Sequence, residues 1–136
     1  MIIKKLNSFY YIRRLIMAFK ALFLAHAPDA DYEKHRSIID TGKYRLFTVV
    51  VKNQDEAIKV SKSIYENEKI DAIILCPGFT HIDVAEIFQA LEGKVSVNVA
   101  RGDGPSNKIS QAVIQKEYFN KECEKNDNIT TSLNSR

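Results

Sequence analysis

Two histidines, an arginine and a thiol lie just past the apolar runs of this 136-residue chain. His26 follows AFKALFLA, Cys76 follows AIIL and is itself followed by Pro77-Gly78-Phe79-Thr80-His81, and Arg101-Gly102-Asp103 follows VSVNVA. Imidazole titrates near neutral pH, so His26 and His81 suit general acid–base work. A thiol beside a helix start and a histidine can be activated as a nucleophile, which makes Cys76 a third candidate for catalysis. Arg101 offers a planar fork for a carboxylate or phosphate. Gly78 lets a ligand approach the backbone, and the amides opening a helix at Phe79, Thr80, His81 and Ile82 add a positive dipole end.

Each of these residues also has a plainer reading. Thr80 with Asp83 three positions on has the spacing of a helix cap. Arg101 can pair with Asp103, Cys76 can be a small buried hydrophobe, and the histidines can hydrogen-bond loop backbone. The ligand-binding set is His26, Gly78, Phe79, Thr80, His81 and Arg101, and no motif among them fixes a reaction. No HxH, HExxH or paired-cysteine spacing calls for a metal. There is no GxGxxG and no GxxxxGK[ST], so no nucleotide cofactor is expected.

The elements that would position these groups alternate. Residues 18–25, 44–51, 70–75 and 95–99 read as strands rich in aliphatic and β-branched side chains. Residues 31–39 read as a short helix, because Tyr32, His35, Ile38 and Ile39 recur at helical spacing. A second helix starts at the cap Asn53 with Glu56 and buries Ala57, Ile58, Val60, Ser61, Ile64 and Tyr65. A third follows Thr80, with Ile82, Ala85, Ile87, Phe88 and Leu91 as its apolar stripe, and Gly93 stops it. Residues 106–121 read as a last helix.

This alternation implies an α/β domain: a single four-stranded parallel sheet with helices on both faces. The expected strand order is the flavodoxin-like 2-1-3-4, with 3-2-1-4 as the alternative. In the first order the chain reverses between strands one and three, and the crevice at that switch point collects the residues named above. The domain is expected over 17–121, after a basic extension at 1–16 and before a polar, disordered tail at 122–136.

Composition bounds the function. Apolar residues make up 45% of the chain and charged ones 27%, an ordinary globular balance. The net charge of +3 misleads, because Lys4, Lys5, Arg13 and Arg14 lie in the first 16 residues with no acid among them. The rest is near neutral, with no basic face for nucleic acid. No run reaches the roughly 18 apolar residues of a membrane span. The two cysteines form no disulfide framework and fit a reducing cytoplasm. The alternative is a signal peptide cleaved after Ala27, but Lys20 interrupts its apolar run and cleavage would remove the first core strand.

Three segments, MAFKALFLAHAPDADYEKHR, VVVKNQDEAIKVSKSIYENEKIDAIILCPGFTH and VSVNVARGDG, appear in an order that resembles a family of small uncharacterised prokaryotic α/β proteins classed as a domain of unknown function. The resemblance covers residues 17–104. It implies a one-domain α/β sandwich whose opening strand starts at Met17, and it implies no activity. In that family glycine is common where Cys76-Pro77 stands here, which weakens a catalytic role for Cys76. The reading reached is a small metabolite-binding protein whose ligand is anionic or carbonyl-bearing. The alternative is a non-catalytic interaction or oligomerisation module, in which an apolar edge of strand two or four pairs copies as a homo-oligomer.

Overall fold

The computed structural model describes residues 18–119. The basic extension and the polar tail expected at the two ends lie outside the described residues. Those described fall into two compact units, one ending at Arg101 and one beginning at Gly102.

The first unit is built on a five-stranded sheet. Its strands are β1 (Phe19–His26), β2 (Arg36–Asp40), β3 (Tyr44–Val51), β4 (Ala72–Leu75) and β5 (Ser96–Val99), in the order β2-β3-β1-β4-β5. β1, β3, β4 and β5 are mutually parallel and follow the flavodoxin-like order. The fifth strand corrects the expected four-stranded, purely parallel sheet. β2 pairs antiparallel with β3 and takes the place of the helix expected at 31–39.

The reason is local. His35 Nδ1 accepts the Asp31 amide at 2.9 Å, and the Asp31 carbonyl takes the amides of Lys34 and His35, which closes a single turn. Beyond it the chain runs extended into a hairpin. There Asp40 Oδ1 accepts the Gly42 amide at 2.7 Å, and Gly42 adopts the left-handed φ of 91° that the turn requires.

Helix α1 (Gln54–Glu68) crosses from β3 to β4, and α2 (His81–Ala90) crosses from β4 to β5. Both pack on the same face of the sheet. Leu22 and Leu24 of β1 lie beside Phe47 and Val49 on one side and Ile73 and Leu75 on the other. These residues form one core with Ala57, Val60 and Ile64 of α1 and Ile87 of α2. The expectation of helices on both faces is therefore corrected for this unit. A right-handed crossover from β1 to β3 would have laid a helix on the opposite face, but that connection carries β2 instead. The opposite face shows Ala21, Phe23 and Ala25 beside Leu46, Thr48 and Val50.

The α1 stripe has the expected members, with Ala57, Val60, Ser61 and Ile64 buried. The α2 stripe does not. Ile87 and Leu91 are buried and Val84 packs against the core, whereas Ile82 is 70% exposed and Phe88 46%. The core selects positions three and four residues from Ile87, which leaves 82 and 88 on other sides of the helix. Phe88 instead lies against Gly93, whose φ of 67° closes the end of α2.

Lys20, the charge within β1, is held at both ends. Its amide donates to the Asp71 carboxylate at 2.9 Å and its ammonium to the Glu68 carbonyl at 2.9 Å. The second unit contains α3 (Gly104–Ile114), which opens with Pro105 in its first turn and continues as one π turn over Gln115–Phe119.

Candidate functional site

The carboxyl ends of β1 and β4 meet where the parallel order reverses, and the loops leaving them diverge. His26 is the last residue of β1. Residues 76–80 leave β4 as a tight turn in which the Phe79 amide donates to the Cys76 carbonyl at 3.3 Å. That turn brings the Phe79 ring against the imidazole, with centroids 3.8 Å apart and planes 21° from parallel. Phe79 is 1% exposed and belongs to the core. It is the floor on which His26 rests rather than an open wall of a crevice.

Neither ring nitrogen of His26 takes a hydrogen bond from the described residues, and Nε2 is enclosed without a partner. A Cβ at Gly78 would stand 3.5 Å from both His26 Nδ1 and Cys76 Sγ, so the absent side chain leaves space beside the imidazole. Burial lowers the His26 pKa from its ordinary 6.5, against a smaller upward pull from the Asp83 carboxylate. His26 is therefore neutral at physiological pH, with one donor and one acceptor nitrogen.

Asp83 is a residue whose second role the spacing did not reveal. Its cap position was legible. Thr80 Oγ1 accepts the Asp83 amide at 3.2 Å, and Asp83 Oδ2 accepts the Thr80 amide at 2.7 Å, a complete capping box. Its nearness to His26 depends on how α2 sits over β1, and nothing in the local sequence encodes that.

Arg101 reaches the same rim. Its Nη1 donates to the Phe79 carbonyl at 2.9 Å and more loosely to the Pro77 carbonyl at 3.4 Å. That arm of the guanidinium ties down the loop beneath His26. His81 opens α2 with its residue exposed, and Cys76 is a half-buried free thiol whose amide is held by the Leu24 carbonyl at 2.9 Å.

The structure thus gathers His26, Cys76, Gly78, Phe79 and Arg101 around one turn, with Thr80 and His81 at the start of the adjoining helix. Among the described residues no three His, Cys, Asp or Glu side chains group as metal ligands, and no helix is long and apolar enough to cross a membrane. A separate shallow depression of about 450 Å³ lies on the outer side of α1, lined by Asp55, Ile58, Lys59, Lys62, Ser63 and Glu66. None of the strand-end residues borders it.

Compared with known proteins, residues 19–115 match a family of unknown function (DUF6506). No curated protein and no solved structure matches the chain.

Proposed function

The chain belongs to the DUF6506 family of unknown function, and from the geometry of its strand ends we propose that it binds a small carbonyl-bearing or anionic metabolite beside His26. One observation carries this reading: an imidazole clamped on Phe79, with no hydrogen-bond partner for either nitrogen among the described residues, next to the space left by Gly78. A buried unpaired N–H is rarer and more costly than a buried unpaired acceptor. The favoured tautomer accordingly carries its proton on Nδ1, the nitrogen facing Gly78. It presents a neutral donor to a carbonyl or carboxylate oxygen.

The two free amides that Thr80 and Asp83 leave at the start of α2, together with the remaining guanidinium nitrogens of Arg101, supply weaker positive potential around it. His81 stands at the mouth. If a reaction is catalysed there, neutral His26 is its proton donor or acceptor. The free thiol of Cys76 supports a reducing, cytoplasmic setting.

The test is thermal melting with acetate, a 2-oxo acid and inorganic phosphate. A ligand at about 100 times its Kd adds about 2.7 kcal/mol to folded stability. A small carboxylate or oxo acid is expected to raise the melting temperature by several degrees, and His26→Ala is expected to melt cooperatively without that response. No shift with any of these compounds, or a shift that survives His26→Ala, refutes the reading.

A further inference from the structure

β2 is an edge strand whose five residues, Arg36–Asp40, are all exposed, with Ile38 at 55% and Ile39 at 57%. The phase of its ladder with β3 is fixed by hydrogen bonds at both ends. Val50 donates to the His35 carbonyl at 2.9 Å, and Thr41 donates to the Tyr44 carbonyl at 3.0 Å. Residues 35, 37, 39 and 41 therefore turn their backbone groups toward β3, and Arg36, Ile38 and Asp40 turn theirs to the open edge.

An antiparallel copy of this strand centred on Ile38 places Arg36 opposite Asp40 of the second copy, Ile38 opposite Ile38, and Asp40 opposite Arg36. These three are the residues whose edge-facing amides and carbonyls have no backbone partner among the described residues, so each pair exchanges both of its backbone hydrogen bonds. Their side chains share one face, which sets the opposite charges beside each other at each end of the contact with an isoleucine pair between them. Among the described residues Arg36 makes no ion pair, and the cation nearest Asp40, on Arg45, is 3.9 Å away. Edges usually repel their own copies through like charge, proline or bulges. This one is self-complementary in charge, backbone phase and apolar centre.

We propose that β2 is a self-pairing edge through which two copies of this chain join about a two-fold axis at Ile38, making one continuous sheet. A single short strand contact buries less than the roughly 800 Å² per partner of a standard stable interface. The dimer is accordingly concentration-dependent. The proposal is independent of the ligand reading, because β3 separates β2 from β1.

Sedimentation equilibrium of the full chain at low salt tests it. The wild type is expected to show a monomer–dimer equilibrium that weakens with added salt. Arg36→Asp and Asp40→Arg each set like charges face to face at both ends, and each is expected to weaken dimerisation roughly tenfold to a hundredfold. Mixing the two variants restores opposite charges at both ends, so the mixture is expected to form a heterodimer that neither forms alone. Ile38→Pro removes a central donor and is expected to leave monomers, with circular dichroism confirming that each variant is folded. A wild type that stays monomeric at every concentration overturns the proposal and gives the edge to another segment or partner. A dimer indifferent to Arg36→Asp, or variants that fail to pair when mixed, overturns it equally.

Discussion

The His26 imidazole lies on the Phe79 ring with centroids 3.8 Å apart, so one residue of the core sets the position of one residue of the rim. Phe79 is also the residue whose carbonyl Arg101 holds at 2.9 Å. Removing the ring should therefore act twice. Phe79→Ala is expected to cost about 3–5 kcal/mol of stability, the usual range for a buried aromatic, and to free the imidazole from its fixed plane. Phe79→Leu keeps most of the packing and loses the stack. It is expected to unfold at a urea concentration much nearer the wild type while showing a reduced ligand-induced rise in melting temperature.

A second expectation concerns pH. Burial lowers the His26 pKa from 6.5, with Asp83 pulling the other way. Between the depressed folded pKa and 6.5, the unfolded chain binds more protons than the folded one. Stability from this group is thus fully present above pH about 6.5 and is lost as pH falls through the folded value. Melting temperature is expected to decline between pH 7.5 and 5, and His26→Gln, which does not titrate, is expected to flatten that part of the profile. A profile unchanged by His26→Gln would mean that another group drives it.

Arg101 gives a third. Its side chain was expected to serve a ligand, and the structure has Nη1 donating to loop carbonyls. Arg101→Ala is expected to cost about 1 kcal/mol, the net worth of a typical hydrogen bond, and to speed amide hydrogen exchange across residues 77–80 while β1 and β3 stay protected. Arg101→Lys supplies a point charge without the planar fork and should restore only part of that protection. Uniform exchange in all three proteins would show that the loop holds itself.

What could be read from the residues, and what could not, follows from where the information resides. β1, β3, β4 and β5 are legible because strands in the middle of such a sheet are apolar runs, whereas the alternation with α1 and α2 left two orders open and the strand pairing selects the flavodoxin-like one. β2 was not legible. Its residues are exposed on both faces, so burial leaves no alternating pattern, and His35, Ile38 and Ile39 happen to fit a helix. Its extended state comes from pairing with β3, a tertiary cause that overrides local preference. The Thr80–Asp83 box was legible from spacing alone. The contact of His26 with Phe79, the reach of Arg101 and the nearness of Asp83 to His26 were not, because each joins residues from different elements. The strand order brought those elements to one rim but could not aim their side chains.

The last expectation runs against the usual direction of core mutations. Ser61 is completely buried in α1, and its hydroxyl has no partner among the described residues. It stands one turn from Ala57 and beside Ile64 in the stripe that faces the sheet. Replacing it with alanine removes an unpaired polar atom from an apolar site, and a buried unsatisfied group costs about 1–3 kcal/mol. Alanine also has the higher helix propensity, and losing a single oxygen leaves little void. Ser61→Ala is therefore expected to stabilise the domain by about 1 kcal/mol, read as a rise of roughly 4–8 °C in melting temperature for a domain of this size. Ser61→Val adds a branched side chain to a packed helix–sheet contact and is expected to destabilise. If Ser61→Ala melts lower than the wild type, the hydroxyl has a partner, either a carbonyl of the preceding turn or a buried water, and the space around Ser61 is polar rather than dry.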